Sequence, residues 1–438
     1  MQQKVDTIIH ADWIIPVNPS NDVLQNHALI IEHGRIRDIL PSAQVDMQFT
    51  ASTTHRLDDH ALLPGFINAH THAAMNLFKG LADDLPLMDW LNNHIWPAEK
   101  QWVSEEFVAD GSRLAIAEMI KSGTTCFNDM YFFPDITAQV AANAGMRAML
   151  GLIVIDFPSA WADSVNDYFN KGLELYDKYK EHPLIHTSFA PHAPYSVSDE
   201  PLKRVQMLAN ELEIPIHMHI HETADEINMS QQQFGIRPLQ RLDKLNMLSP
   251  SLNAVHMTQL KKQEISRLAE TGSHIIHCPQ SNLKLASGFT PVAQLLEQGI
   301  NVALGTDSSA SNNNLDMFEE LQLAAMLAKA VAGQAETLPA EQALRMATIN
   351  GAKALGIDRE TGSLETGKSA DISAINLNDI ATQPLYNPVS QIVYAANSSQ
   401  VSDVWIHGKQ VMANRNLTTL DEEELLDKAK NWQNKLTA

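Results

Sequence analysis

Histidines two residues apart on a strand share one face and can grip a single ion. The chain holds three such pairs: His70 with His72, His217 with His219, and His219 with His221. Scattering 18 histidines over this length gives roughly 0.7 such pairs by chance, so one pair alone says little. These pairs, however, have reactive company at the ends of apolar runs. Glu222 follows His221, His256 follows Val255, and Asp307 closes Gly305-Thr306-Asp307. Imidazole and carboxylate donors without thiolate suit zinc, and less specifically iron(II) or manganese(II). A catalytic ion needs an open position for water, whose pKa it lowers from 15.7 toward about 7.

Such residues act together only if the fold brings them to one place. Short apolar runs recur at 66–70, 124–129, 147–153, 184–189, 214–221, 252–256, 274–277 and 300–306, separated by helical stretches. That alternation predicts βα units on a parallel sheet, and eight of them predict a (β/α)8 barrel, whose strand ends converge on one mouth. Helix starts are marked by Ser104 before Glu105 and Glu106, and by Thr223-Ala224-Asp225-Glu226, which has capping-box spacing. Both chain ends read as strands. Residues 28–36 predict a hairpin turning at His33-Gly34, and 404–411 repeat the apolar, His-Gly, basic pattern. The expected architecture is therefore α/β: a barrel over 63–360 and a small composite β-sandwich domain built from 1–62 and 361–438. The boundary back into the small domain falls within 361–367, and a charged helix over 421–435 ends the chain without evident chemistry.

The formal charge of -21, from 52 acids against 31 lysines and arginines, repels polyanions and argues against nucleic acid as a partner. Cys126 and Cys278 lack C-x-x-C spacing, which excludes a disulfide framework or thiolate zinc site and fits a reducing cytoplasm. Cys278-Pro279 has no second cysteine nearby, which also excludes the zinc deaminases built on P-C-x-x-C. No apolar stretch reaches membrane-spanning length, and the first residues do not predict export.

The segment from Leu63 to His72, the His-Glu and Gly-Thr-Asp strand ends, and the segment from Gly362 to Asp371 resemble the amidohydrolase superfamily over nearly the whole chain. Within it, four stretches are similar to the 5-methylthioadenosine/S-adenosylhomocysteine deaminases: 91–99, 190–195, 219–223 and 277–285. The resemblance implies a metal held by His70, His72, His219 and Asp307, and so selects His219 from the strand-five histidines. His217 and His221 are then structural. Some relatives bind two metals through a lysine on strand four; 184–191 contain none, so one divalent ion per subunit is expected. Deamination then assigns Asp307 to accept the water proton, His256 to orient the attacking oxygen, and Glu222 to protonate the ring nitrogen and the leaving amine. For the substrate, a purine nucleoside, the resemblance implies Glu99 on the ribose hydroxyls and His192 on the base or sugar, with Glu222 and Asp307 also in contact. Trp90, Trp96, Phe132 and Phe133 are candidate walls. Arg147 is either a partner for the homocysteine carboxylate or half of a buried ion pair. A homodimer or homotetramer is common among proteins of this kind.

Two other readings share these residues. A deaminase of guanine or another aminated ring, or a triazine chlorohydrolase, would not need Glu99. A non-catalytic binding or assembly protein on the same barrel is also compatible with the fold.

Overall fold

A computed structural model describes residues 2–20 and 22–437. Among the described residues, sixteen strands form two sheets. Both ends of the chain contribute to the first: β1 (Gln3–Ile14), β2 (Leu24–Glu32), β3 (Arg35–Pro41) and β4 (Phe49–Pro64) from the start, and four strands from the end described below. The second is a parallel run of β5 (Phe66–Thr71), β6 (Thr124–Asp129), β7 (Arg147–Val154), β8 (Ile185–Pro191), β9 (Ile216–Ile220), β10 (Leu252–His256), β11 (His274–His277) and β12 (Val302–Leu304), in sequential order. Every residue of β5, β6 and β7 is buried, as expected of parallel strands covered on both faces, and that is why they read as apolar runs rather than alternations.

The barrel closes where its chemistry lies. Just past β12 the Thr306 N–H donates to Asn68 Oδ1 at 3.0 Å, Asn68 Nδ2 returns a bond to Thr306 Oγ1 at 2.8 Å, and the Asp307 N–H donates to the His70 carbonyl at 3.0 Å. Gly305 makes this approach possible: a Cβ there would lie 2.7 Å from the His70 backbone nitrogen. First and last strand ends are thereby clasped together, with His70 and Asp307 side by side.

The remaining strands, β13 (Ile372–Asn376), β14 (Val401–Ile406), β15 (Lys409–Ala413) and β16 (Asn416–Leu417), complete the first sheet in the order β16-β15-β14-β13-β4-β1-β2-β3. The expected sandwich is thus one continuous eight-stranded sheet whose halves fold toward each other over Ile9, Leu29, Ile31, Leu62, Ile372 and Trp405. The two His-Gly turns meet: His33-Gly34 and His407-Gly408 all have left-handed φ, from +50° to +76°, as type I′ hairpins require. A Cβ on Gly34 would lie 2.7 Å from the His407 carbonyl.

Arg147 is the first residue of β7, at the opposite end of the barrel from the clasp. Its guanidinium bonds both oxygens of Asp371 at 2.8 and 3.3 Å, Ser369 Oγ at 2.8 Å and the Pro183 carbonyl at 2.9 Å. It is the buried ion pair, tying barrel to small sheet. The last helix, Glu422–Leu436, is not a bare charged surface element. Trp432 packs on Phe107 with ring centroids 5.2 Å apart and donates to Asp110 Oδ2 at 3.1 Å, docking the helix on Glu105–Lys121.

Candidate functional site

His70, His72, His219 and Asp307 converge at the barrel mouth, each offering one ligand atom within 4.8 Å of all the others. Asp307 Oδ1 lies 3.3 Å from Nε2 of both His70 and His72, and the Nε2 atoms of His70 and His219 are 3.2 Å apart. Hydrogen bonding on the far side of each ring decides what faces inward. His219 Nδ1 meets the His192 carbonyl at 2.8 Å, and His72 Nδ1 meets the Met130 carbonyl. A carbonyl only accepts, so each ring carries its proton on Nδ1 and turns a bare Nε2 lone pair inward. His70 Nδ1 lies 2.8 Å from His217 Nε2; with the proton on His70 Nδ1, a third lone pair joins them. Three lone pairs and a carboxylate oxygen aimed at one point repel one another unless a cation sits among them, so the donor set fits a divalent ion.

The local electrostatics agree. Burial holds the His70 imidazole down to about 4 and the His219 imidazole well below its ordinary value, so both are neutral ligands at neutral pH. Burial also lowers His72, but the adjacent Asp307 carboxylate outweighs it and the net shift is upward. Burial would raise Asp307, yet His70 and His72 hold it well below the usual carboxylate range. Its second oxygen, Oδ2, accepts from Ser281 Oγ at 2.6 Å and Ser311 Oγ at 3.1 Å, and the Ser308 N–H donates to Oδ1 at 2.8 Å.

Around this centre stand His256, Glu222 and His192. His256 and Asp307 both adopt left-handed backbone, φ +73° and +63°, the kind of strain that persists where surroundings over-determine it. His256 Nδ1 is 2.9 Å from Asn282 Oδ1, leaving Nε2 toward the site, 3.8 Å from Glu222 Oε2. Glu222 is buried, which raises its pKa. The Thr223 hydroxyl caps the helix Ala224–Phe234 by accepting from the Glu226 N–H at 3.3 Å. The Glu226 carboxylate, however, accepts from the Glu222 N–H at 2.8 Å rather than from Thr223, so the capping box is shifted by one residue and fixes the backbone of Glu222. His192 stacks edge-on against His219 at 5.0 Å and bonds Ser196 Oγ at 2.9 Å. Glu99 lies half-buried on the helix Trp96–Trp102, beside Tyr131, with its carboxyl pushed up to about 7 by burial.

Sequence reasoning did not single out Ser281, Asn282 or Ser311, and it marked Glu226 only as the end of a capping box. Asn282 and Ser281 lie inside the stretch 277–285 that carried the resemblance, but nothing in their spacing tells that they reach His256 and Asp307. His217 supports a ligand from behind, and His221 Nε2 accepts the Leu239 N–H at 3.1 Å, a structural role. Trp90 is core, while Trp96 is partly exposed.

Known proteins bear on the same site. The Amidohydrolase family profile matches residues 61–411. A 5-methylthioadenosine/S-adenosylhomocysteine deaminase of Teredinibacter turnerae is 51% identical over 434 residues, covering 99% of this chain and 98% of its own. The chain belongs to the amidohydrolase family, among its 5-methylthioadenosine/S-adenosylhomocysteine deaminases. A zinc-bound adenosine deaminase of Xanthomonas campestris superposes on this family member with a TM-score of 0.99 at 48% identity, covering 100% of both chains. An atrazine chlorohydrolase of Arthrobacter aurescens, 21% identical with a TM-score of 0.90 over 97% of this chain and 99% of its own, shares the fold. Among the described residues, no helix is long and apolar enough to cross a membrane.

Proposed function

We propose that this protein hydrolyses the exocyclic amine from an adenine nucleoside, 5′-methylthioadenosine, S-adenosylhomocysteine or adenosine, releasing the inosine analogue and ammonia. The observation that carries the proposal is the convergence of three imidazole nitrogens and the Asp307 carboxylate on one point, with Glu222 and His256 facing it. Zinc is the ion we assign, because the donors are nitrogen and oxygen without thiolate and because the adenosine deaminase at 48% identity holds zinc. Bound there, the ion supplies Lewis-acid activation of a water.

The chain's own groups supply the proton traffic. Asp307 accepts the proton that the attacking water loses, its Oδ2 held in place by the Ser281 and Ser311 hydroxyls. His256, anchored through Asn282, orients the attacking oxygen toward the amino-bearing carbon. Burial keeps the Glu222 proton on to higher pH than in free glutamate, which suits an acid that protonates purine N1 and then relays a proton to the departing amine. The C–O bond forms, the C–N bond breaks, and ammonia leaves. Glu99 accepts the vicinal ribose hydroxyls and His192 contacts the nucleoside. We assign 63–360 to the barrel domain, 1–62 and 361–438 to the small domain, and, on the resemblance, a cytoplasmic homodimer or homotetramer.

Ammonia release and the ultraviolet shift from adenine to hypoxanthine test the reading directly. Zinc-loaded wild type turns over at least one of the three nucleosides, and Glu222→Gln binds it but does not. Absence of turnover with all three refutes the proposal. Retention of full activity by Glu99→Ala would transfer it to a sugarless ring.

A further inference from the structure

We propose that Glu320 is a positioning residue for this reaction: it buckles together the two segments that hold Asp307, and so fixes the direction of the carboxylate that accepts the water proton. The inference rests on the assignment of Asp307 as that acceptor.

Glu320 lies on the helix Met317–Ala332 and is 0% exposed. The rest of that helix's buried face is apolar, with Met317, Phe318, Leu321 and Ala324 among its residues. A carboxylate in such a place costs free energy unless hydrogen-bond donors meet it, and burial pushes its pKa well above the ordinary value. The donors that meet it are an amide and a backbone N–H rather than a cation. Oε1 accepts from Asn312 Nδ2 at 2.6 Å, and Oε2 accepts from the Gln280 N–H at 3.2 Å. Gln280 is the second residue of Pro279–Lys284, where an N–H has no partner within its own helix. Asn312 ends the turn Ser309–Asn312 and, through the same amide nitrogen, bonds the Thr306 carbonyl at 2.8 Å.

Each donor has a serine beside it in the chain. Ser281 follows Gln280, and Ser311 precedes Asn312. Their hydroxyls are the two that bond Asp307 Oδ2, and they lie 3.1 Å from each other. One segment comes after β11 and the other after β12; Glu320, bonded to both, sets the separation of the two hydroxyls. A carboxylate gripped on Oδ2 from two sides cannot turn about its Cβ–Cγ bond, and Oδ1 stays directed at the imidazole nitrogens of His70 and His72. Outer partners of this kind orient a metal-binding carboxylate. Glutamine cannot replace the glutamate: its single oxygen meets one donor, and its amide nitrogen is set against the other.

The test is a double-mutant cycle between Glu320→Gln and the pair Ser281→Ala with Ser311→Ala. It is read by kcat and KM of the zinc-loaded enzyme, with whichever of the three nucleosides wild type turns over fastest, and by zinc affinity in competition with a chelator. Glu320→Gln alone is expected to lower kcat by about 10- to 100-fold, leave KM within about twofold and weaken zinc binding about tenfold. Without the two serines, the same change costs less than about twofold in kcat and in zinc affinity, because the hydroxyls it places are gone. Glu319→Gln, on the exposed side of the same helix, is the control and leaves both values as in wild type. Asn312→Ala opens the same buckle from the other side and carries the cycle if Glu320→Gln does not fold. Equal losses in both backgrounds overturn the proposal, because the glutamate then acts on the fold at large. So does a kcat within about threefold of wild type, or an unchanged zinc affinity, in Glu320→Gln. Turnover of none of the three nucleosides by wild type refutes instead the deaminase reading, and the zinc arm of the cycle still decides what Glu320 does.

Discussion

Replacing Arg147 with methionine separates a structural arginine from a substrate-binding one. The substitution keeps much of the apolar stem but removes every guanidinium bond, leaving Asp371 as a buried carboxylate at 0% side-chain exposure with Ser369 and the His407 N–H as its remaining partners. Breaking a buried pair from one side costs about 3–5 kcal/mol, because the abandoned charge has neither water nor partner. An unfolding entropy of about 2.1 cal/mol/K per residue gives about 0.9 kcal/mol/K for 438 residues. The expected fall in Tm is therefore about 3–5 °C, read by calorimetry on the zinc-loaded protein. Arg147→Met combined with Asp371→Asn should recover a large part of it, since both charges are gone. The ratio of kcat/KM for 5′-methylthioadenosine to that for S-adenosylhomocysteine should not move. A drop in Tm below about 1 °C, or a selective loss of S-adenosylhomocysteine turnover in a stable variant, would refute the ion-pair account.

Asn282→Leu removes the acceptor that holds His256 Nδ1; kcat should fall by about 10- to 100-fold with KM and zinc content little changed, measured by single-substrate kinetics and metal analysis. Glu99 accepts hydroxyl donors best when ionised, and burial places its pKa at about 7. KM for the nucleoside should accordingly fall as pH rises through about 7, and Glu99→Gln should weaken binding and remove that component. Glu226, raised by burial to about 8 from an ordinary 4.5, binds its proton more tightly in the folded state. Its contribution to stability is full below the ordinary value and is lost as pH rises toward about 8. Denaturant titrations of wild type and Glu226→Gln should show the wild type losing ground to the variant over that interval; parallel curves would contradict this.

The barrel was legible because its strands are buried on both faces, so 147–153 stands out as an apolar run, and polar residues that close other runs, His70 and His256, as site candidates. Residues such as His70 and Asp307 carry their chemistry in their type and their place at a strand end. Ser281 and Asn282 carry theirs only in direction. Which way a short helix turns two small polar side chains depends on the packing of Pro279–Lys284 against its neighbours, and spacing does not encode that. Arg147 posed the converse difficulty. Its place at the start of the run 147–153 already set it away from the C-terminal strand ends that form a barrel mouth, but no spacing points to Asp371, the partner that holds it from the small sheet. The small domain showed the same limit: the repeated His-Gly turns were visible, but their contact with each other was not.

That shared sheet has a consequence for the chain while it is being made. Strand β4 is completed at Pro64, yet its edge at His60–Pro64 pairs with Ile372–Asn376, about 300 residues later. At translation rates of about 5–20 residues/s the edge stays open for roughly 15–60 s. During that time Ala61-Leu62-Leu63 offers unpaired backbone and apolar side chains to whatever passes. The nascent chain therefore has a long interval in which a ribosome-associated holdase has work to do. A product that ends before Ile372 lacks the strand that covers that edge.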